Sequence, residues 1–140
     1  MSVRNAAETE AGDVFGPVIV PVGRDTLVAY ATASGDQNPI HQDEDFAKSV
    51  GLPDVIAHGM WTLGAAGSVV SQWAGGAGRV VEFGTRFTKP VVVPASGAEV
   101  VIGGTVKAVD LETRRATVDL NVTAEGTKVL GRCTAVVQLD

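Results

Sequence analysis

Residues 59–78 carry no charge, and this run constrains the fold more than any other stretch of the chain. Twenty such residues are enough to cross a bilayer as a helix. The composition argues otherwise, because six Gly, two Ser, one Thr and one Gln interrupt the apolar residues. The run therefore reads as a long helix over roughly residues 58–74, buried in a protein core rather than in a membrane. Gly64 and Gly67 lie inside it. Each costs about 1 kcal/mol relative to Ala in a helix interior. Close approach of another backbone would offset that cost, and a curved sheet wrapped tightly around the helix would supply it.

From Arg79 onward the apolar period changes to two. Residues 79–93, 99–109, 114–124 and 128–139 read as four strands rich in Val, Thr and Ile. In the third, Ala116, Val118, Leu120 and Val122 share one face. Upstream, Asp25 is positioned to cap a helix that Gly35 stops, and Asp43 to cap a shorter one that Gly51 and Pro53 end. Residues 14–23 read as a short extended segment broken by Pro17 and Pro21. Residues 1–10 are polar and read as a flexible N-terminus, leaving residues 11–140 as one domain. Helices followed by an antiparallel run predict an α+β fold, a long central helix packed in a curved antiparallel sheet.

A chain of 140 residues can bury roughly 70% of its unfolded surface without disulfide or metal staples. Sixteen acidic residues against eleven basic ones give a net charge of -5, with no basic stripe for nucleic acid. The charge is uneven: eight acidic and two basic residues precede Phe46, while eight acidic and nine basic follow. An anionic ligand is therefore expected against the later half. Cys133, the only cysteine, permits no internal disulfide and reads as a buried, inert thiol. With no apolar signal stretch in MSVRNAAETEAG, the expected compartment is the cytoplasm.

The two histidines, His41 and His58, flank the short second helix. Asp36 and His41 sit five residues apart across a turn stiffened by Pro39. A carboxylate and an imidazole presented to one small space suit general acid–base work on a water molecule. The same pair also reads as a capped turn with a packed histidine. Gly59 and Met60 would open the long helix, where unpaired N–H groups and the helix dipole favour developing negative charge. An ordinary helix start with His58 as cap fits that stretch equally. His41, Asp43 and Asp45 give weak support for a metal, and G76-A-G78 lacks the dinucleotide pattern. Arg79, Arg86 and Lys89 are candidates for a ligand's phosphates.

Taken together, S34-G-D36-Q-N38-P39-I-H41, A47, G51, I56-A-H58-G59-M60 and R86-F87-T-K-P90-V resemble the hydratase signature of MaoC-like dehydratases, which include (R)-specific enoyl-CoA hydratases. The phrasing G51-L-P-D-V-I-A looks closest to the catalytic B-type subunit of mycobacterial (3R)-hydroxyacyl-ACP dehydratases. The resemblance implies a hot-dog fold, a sheet wrapped around a long helix. It implies a hydro-lyase of fatty acid or polyketide metabolism in which Asp36 and His41 activate water. The reaction would interconvert trans-2-enoyl and (3R)-3-hydroxyacyl thioesters of CoA or ACP. The Gly59 N–H would polarise the thioester carbonyl, with Ser34, Asn38 and His58 in support and no cofactor or metal. It further implies a homodimer, or a heterodimer with another hot-dog subunit. The serine that some (R)-hydratases carry in the central helix is matched here by Gly67, so that role is not carried over. Two other readings are a non-catalytic acyl-thioester-binding protein and a hot-dog thioesterase. The second is disfavoured because residues 58–78 contain no Asp or Glu.

Overall fold

A computed structural model of the chain describes residues 2–140. Five strands, β1 (Val14–Val22), β2 (Val80–Phe87), β3 (Ala98–Asp110), β4 (Arg115–Ala124) and β5 (Thr127–Gln138), form one sheet in the order β1-β3-β4-β5-β2. Every pairing is antiparallel. Three helices, α1 (Arg24–Ser34), α2 (Glu44–Ser49) and α3 (Gly59–Ala74), lie between β1 and β2 in the chain. The uncharged run is thus a helix, and among the described residues no helix is long and apolar enough to cross a membrane.

The core follows from the two periods. Along β4, Ala116, Val118, Leu120 and Val122 are all buried, as alternation on a one-sided sheet requires. On α3 the buried set is Thr62, Ala66, Val69, Val70 and Ala74, at helical spacing. These meet Val100, Ile102, Val118, Leu130 and Val137 of the sheet in one apolar cluster. Cys133 belongs to that cluster, and burial pushes its thiol up against a smaller opposing effect of Thr85.

Four expectations are corrected by the structure. Residues 14–22 form a full edge strand, because β1 pairs only with β3 and Pro is tolerated where one side of a strand has no partner. The register slips between Phe15 and Val18, around Pro17. The flexible stretch expected at residues 1–10 is anchored between Arg4 and Thr9, with Met1 outside the described residues. Ala6 is buried and donates to the Asp140 carbonyl at 2.8 Å, and the Arg4 guanidinium lies 4.6 Å from the Trp73 ring centroid. Such contacts with the chain's far end leave no periodic trace in sequence. The cap of α1 is Gly23, whose N–H donates to Thr26 Oγ1 at 3.1 Å, with Asp25 in the first turn. Finally, of Gly64 and Gly67 in the interior of α3, only Gly67 faces a close neighbour. That neighbour is the Phe83 ring of β2, 3.1 Å from where a Cβ would stand, while Gly64 has nothing within 4 Å.

Two features of the fold position the polar residues. Residues 55–57 pair with residues 91–93 through Ala57 N–H to Val91 O (2.9 Å), Val93 N–H to Val55 O (2.8 Å) and an Ile56–Val92 bridge. Arg24 then ties that strip to the helices. Its guanidinium reaches Asp54 (2.7 Å), Glu44 (3.2 Å) and the Val93 carbonyl (3.3 Å).

Candidate active site

The loop after α1 is folded by its own short side chains. Ser34 Oγ accepts from the Asp36 N–H at 3.1 Å, Asp36 Oδ1 from the Asn38 N–H at 3.1 Å, and Asn38 Oδ1 from the Ile40 N–H at 3.2 Å. Each bond replaces a backbone turn contact. Pro39 then opens a single 3-10 turn that ends on His41. The loop is thereby stiff before any tertiary contact is made, and it delivers Asp36 and His41 to the same place.

His41 is buried, and its Nδ1 lies 2.7 Å from the Ile56 carbonyl oxygen. A carbonyl only accepts, so Nδ1 carries the proton and Nε2 presents its lone pair. Nε2 is 3.9 Å from Asp36 Oδ2, beyond direct hydrogen-bond length. The Asp36 side chain is half exposed. His58 stacks on His41, with ring centroids 3.7 Å apart and planes 20° from parallel. Its Nε2 lies 3.1 Å from the Asp36 carbonyl oxygen, and Tyr30 meets its ring edge-on at 4.7 Å. Sequence reasoning offered His58 as the helix cap, yet its side chain makes no capping bond to α3.

Gly59 is the first residue of α3, so its N–H has no intrahelical acceptor. It lines a cavity of about 390 Å³ together with His41, Ile56, Thr62, Phe87 and Lys89. A second cavity of about 340 Å³ meets Gly59 from the other side, bounded by Ser34, Asp36, His58, Met60 and Phe87. Phe87 stands between the two, over Gly59. A third, of about 580 Å³, continues past Tyr30 and Met60 along Gly64 and Ala65.

Ser34, Asp36, His41, His58, Gly59 and Lys89 thus line the cavities that meet at Gly59, while Asn38 folds the loop and lines none of them. Arg86 is an exposed residue of β2 and lines none of these three cavities. Arg79 is turned elsewhere, its guanidinium 3.0 Å from the Asp140 carboxylate. Like Arg86, it lines none of these three cavities. The sequence reading missed the Ile56 carbonyl, Tyr30, Thr62 and Phe87. Phe87 and Ile56 left a trace, as parts of the R86-F87-T-K-P90 and I56-A-H58-G59-M60 phrases, but the role of the Ile56 carbonyl did not, since a main-chain acceptor has no side-chain signature. Asp36, His41 and His58 each place one potential ligand atom within 4.8 Å of the others. The two imidazoles are stacked, however, and the in-plane lone pairs of near-parallel rings do not converge on one ion. The donor set does not fit a metal, and the weaker set suggested around His41, Asp43 and Asp45 is broken because Asp43 caps α2.

Residues 6–126 match the family described as MaoC like domain. The chain belongs to that family. A solved MaoC-like dehydratase superposes with a TM-score of 0.97 at 38% identity, covering 99% of this chain and 43% of that one. The (R)-hydratase from A. caviae involved in PHA biosynthesis superposes at 0.84 with 27% identity, covering 95% and 98%. The architecture is therefore the hot-dog fold of MaoC-like proteins. Among curated relatives, 3-hydroxyacyl-thioester dehydratase X of Mycobacterium tuberculosis is 41% identical over 75 residues, which is 54% of this chain and 26% of that protein. The fatty acid synthase beta subunit TOXC of Cochliobolus carbonum is 39% identical over 98 residues, 63% of this chain and 5% of that protein. The MaoC-like chain described here thus spans about a quarter of one of these curated relatives and a twentieth of the other.

Proposed function

We propose that this MaoC-like domain is a hydro-lyase that interconverts trans-2-enoyl and (3R)-3-hydroxyacyl thioesters. The observation that carries the reading is the state of His41. The Ile56 carbonyl occupies Nδ1, which leaves the Nε2 lone pair 3.9 Å from the Asp36 carboxylate. A substrate water about 2.8 Å from each of those atoms bridges that span with two ordinary hydrogen bonds. In hydration, the water oxygen bonds to C3 of the enoyl chain. One water proton passes to the Asp36–His41 pair and on to C2 on the same face. Dehydration runs the same transfers backwards, so atoms balance with water alone. The electron pair displaced from the double bond collects on the thioester oxygen, where the Gly59 N–H and the α3 dipole stabilise it. Lys89, beside the His41 cavity, and Arg86 on β2 are the candidates to meet an anionic CoA or ACP handle. The names of the relatives point the same way, since they are thioester dehydratases and an (R)-hydratase.

The test is loss of enoyl absorbance when purified protein is mixed with crotonyl-CoA. Asp36→Asn and His41→Ala should each lower turnover by about 10²–10⁴-fold, the usual worth of a positioned acid–base group, with the fold intact by circular dichroism. Wild-type rates in both folded variants would overturn the assignment. Release of free thiol in place of hydration would instead favour a thioesterase.

A second reading is that the chain is the catalytic half of a pair of hot-dog subunits, identical or different. It is favoured by β2, which has no neighbour on its outer side and carries the exposed Val81 and Phe87. Protein that is inactive alone and active when co-expressed with a second hot-dog chain would support a heterologous partner.

A further inference from the structure

Two buried titratable side chains, His58 and Cys133, have no use in the reaction above, and of these only His58 touches its groups. His58 is 2% exposed, and its Nδ1 is the only buried side-chain nitrogen or oxygen among the described residues without a hydrogen-bond partner. Burying an unpaired polar atom is costly, so the residue needs a reason to be there. A Leu or Phe would fill the same volume without that cost.

The three groups in contact with the ring supply the reason. Its Nε2 faces the Asp36 carbonyl, which can only accept, so His58 is an Nε2–H tautomer donating at 3.1 Å. That bond fixes the main chain that carries the Asp36 carboxylate. One ring face lies 3.7 Å from His41, and the Tyr30 ring meets His58 at 60°, holding it from another side. His41 is itself tethered only at Nδ1, by the Ile56 carbonyl at 2.7 Å. A ring held at one atom can still swing about that bond, and a flat neighbour stacked on it removes the swing. The donor and the face therefore act on two different partners at once.

Resting on the hydro-lyase reading, we propose that His58 is a positioning residue for that reaction. Its Nε2–H sets the Asp36 carboxylate and its ring face sets the plane of His41, so that the two reacting groups keep their spacing. No aliphatic or amide side chain does both.

The roles separate by substitution. His58→Phe keeps a ring and loses the donor, His58→Gln keeps a donor and loses the ring, and His58→Leu loses both. Misplacing a catalytic group by about 1 Å costs on the order of 10²-fold. The expectation is therefore a loss in kcat of about 10-fold for each of the first two and about 100-fold for the third, with KM within about two-fold of wild type. A merely structural histidine would lower thermal stability and leave kcat per folded molecule unchanged. A folded His58→Leu with kcat within two-fold of wild type overturns the proposal, as does a loss confined to KM. The imidazole nitrogens are read in parallel by ¹⁵N NMR, which needs no turnover. The expected pattern is a proton on Nε2 of His58 and on Nδ1 of His41 in the wild type. In His58→Leu the Ile56 carbonyl still holds the proton on Nδ1 of His41, and the expected change is a shift and broadening of the His41 ring signals as the ring swings. A proton on Nδ1 of His58, or an unchanged His41 in the Leu variant, overturns the positioning role. If the wild type hydrates no enoyl thioester, the hydro-lyase reading fails, and the NMR arm still decides whether His58 orders the pair.

Discussion

A methyl group on Gly59 would lie 2.9 Å from Phe87 Cε1, closer than carbon atoms normally approach. Phe87 is 55% exposed and can yield by swinging outward. The Gly59→Ala protein should therefore fold, with a stability loss near the lower end of the about 1–3 kcal/mol typical of overpacking. On the proposed reaction its turnover should fall much further, because the methyl would crowd the space through which a thioester oxygen reaches the Gly59 N–H. Adding Phe87→Leu separates the two effects. Urea unfolding of the double variant should show stability recovered, while the hydration assay shows turnover still low. Recovery of both would mean that the Phe87 ring, and not access to the N–H, is what the methyl disturbs. At this scale the sequence was most legible where side chains act on their own neighbourhood. Asp36, Asn38 and Ser34 fold the loop within a span of a few residues, so their spacing is visible in the string. The Ile56 carbonyl that fixes the His41 tautomer is 15 residues away and is a main-chain atom. No residue type announces it.

Among the elements, the segment that carries the Ile56 carbonyl owes its place to Arg24 at the start of α1. The Arg24 fork joins Asp54, Glu44 and the Val93 carbonyl, and Asp54 also accepts from the Val55 N–H at 2.7 Å. Lysine carries the same charge on a single nitrogen, which cannot span three acceptors that Arg24 reaches from three separate nitrogens, Nε, Nη1 and Nη2. Arg24→Lys should therefore cost about 1–2 kcal/mol, the lower part of the range for charge-assisted bonds because the group is one-third exposed. Amide exchange should speed up at Ile56 and Ala57 more than in β4, and equal protection in both places would remove Arg24 from this role. Lys48 first, and then Arg24, holds the Glu44 carboxyl below the usual carboxylate range. A depressed folded-state pKa stabilises above the unfolded value and ceases to as pH falls through the folded one. The clamp should accordingly loosen on acidification, with the exchange difference between wild type and variant shrinking toward low pH. Elements were legible in proportion to their periodicity. The helix α3 and the strands β2 to β5 repeat a clear period, whereas β1 was hidden by two prolines that only an edge position tolerates. The packing of residues 4–9 depends on Trp73 and Asp140, at distances no local pattern spans.

For the molecule as a whole, the open question is what covers β2. The strand is the last in the order β1-β3-β4-β5-β2, so one row of its backbone groups has no partner within the chain. Monomeric proteins protect such an edge with charge, proline or a covering element. Here the strand carries the exposed charges Glu82 and Arg86, but it also presents Val81, 43% exposed, and ends at Phe87, which lines both of the cavities that meet at Gly59. A second hot-dog subunit added along β2 would cover apolar surface, satisfy the edge and close over the same residues that bound the site. Light scattering at micromolar concentration should give twice the mass of one chain. Val81→Lys places a charge on that edge and should shift the protein toward monomer without changing its circular dichroism. If the pair is the working unit, the specific activity of Val81→Lys should rise with protein concentration, while that of the wild type stays flat over the same range. A monomeric wild type with full, concentration-independent activity would show instead that one hot dog suffices and that the β2 edge is simply left open.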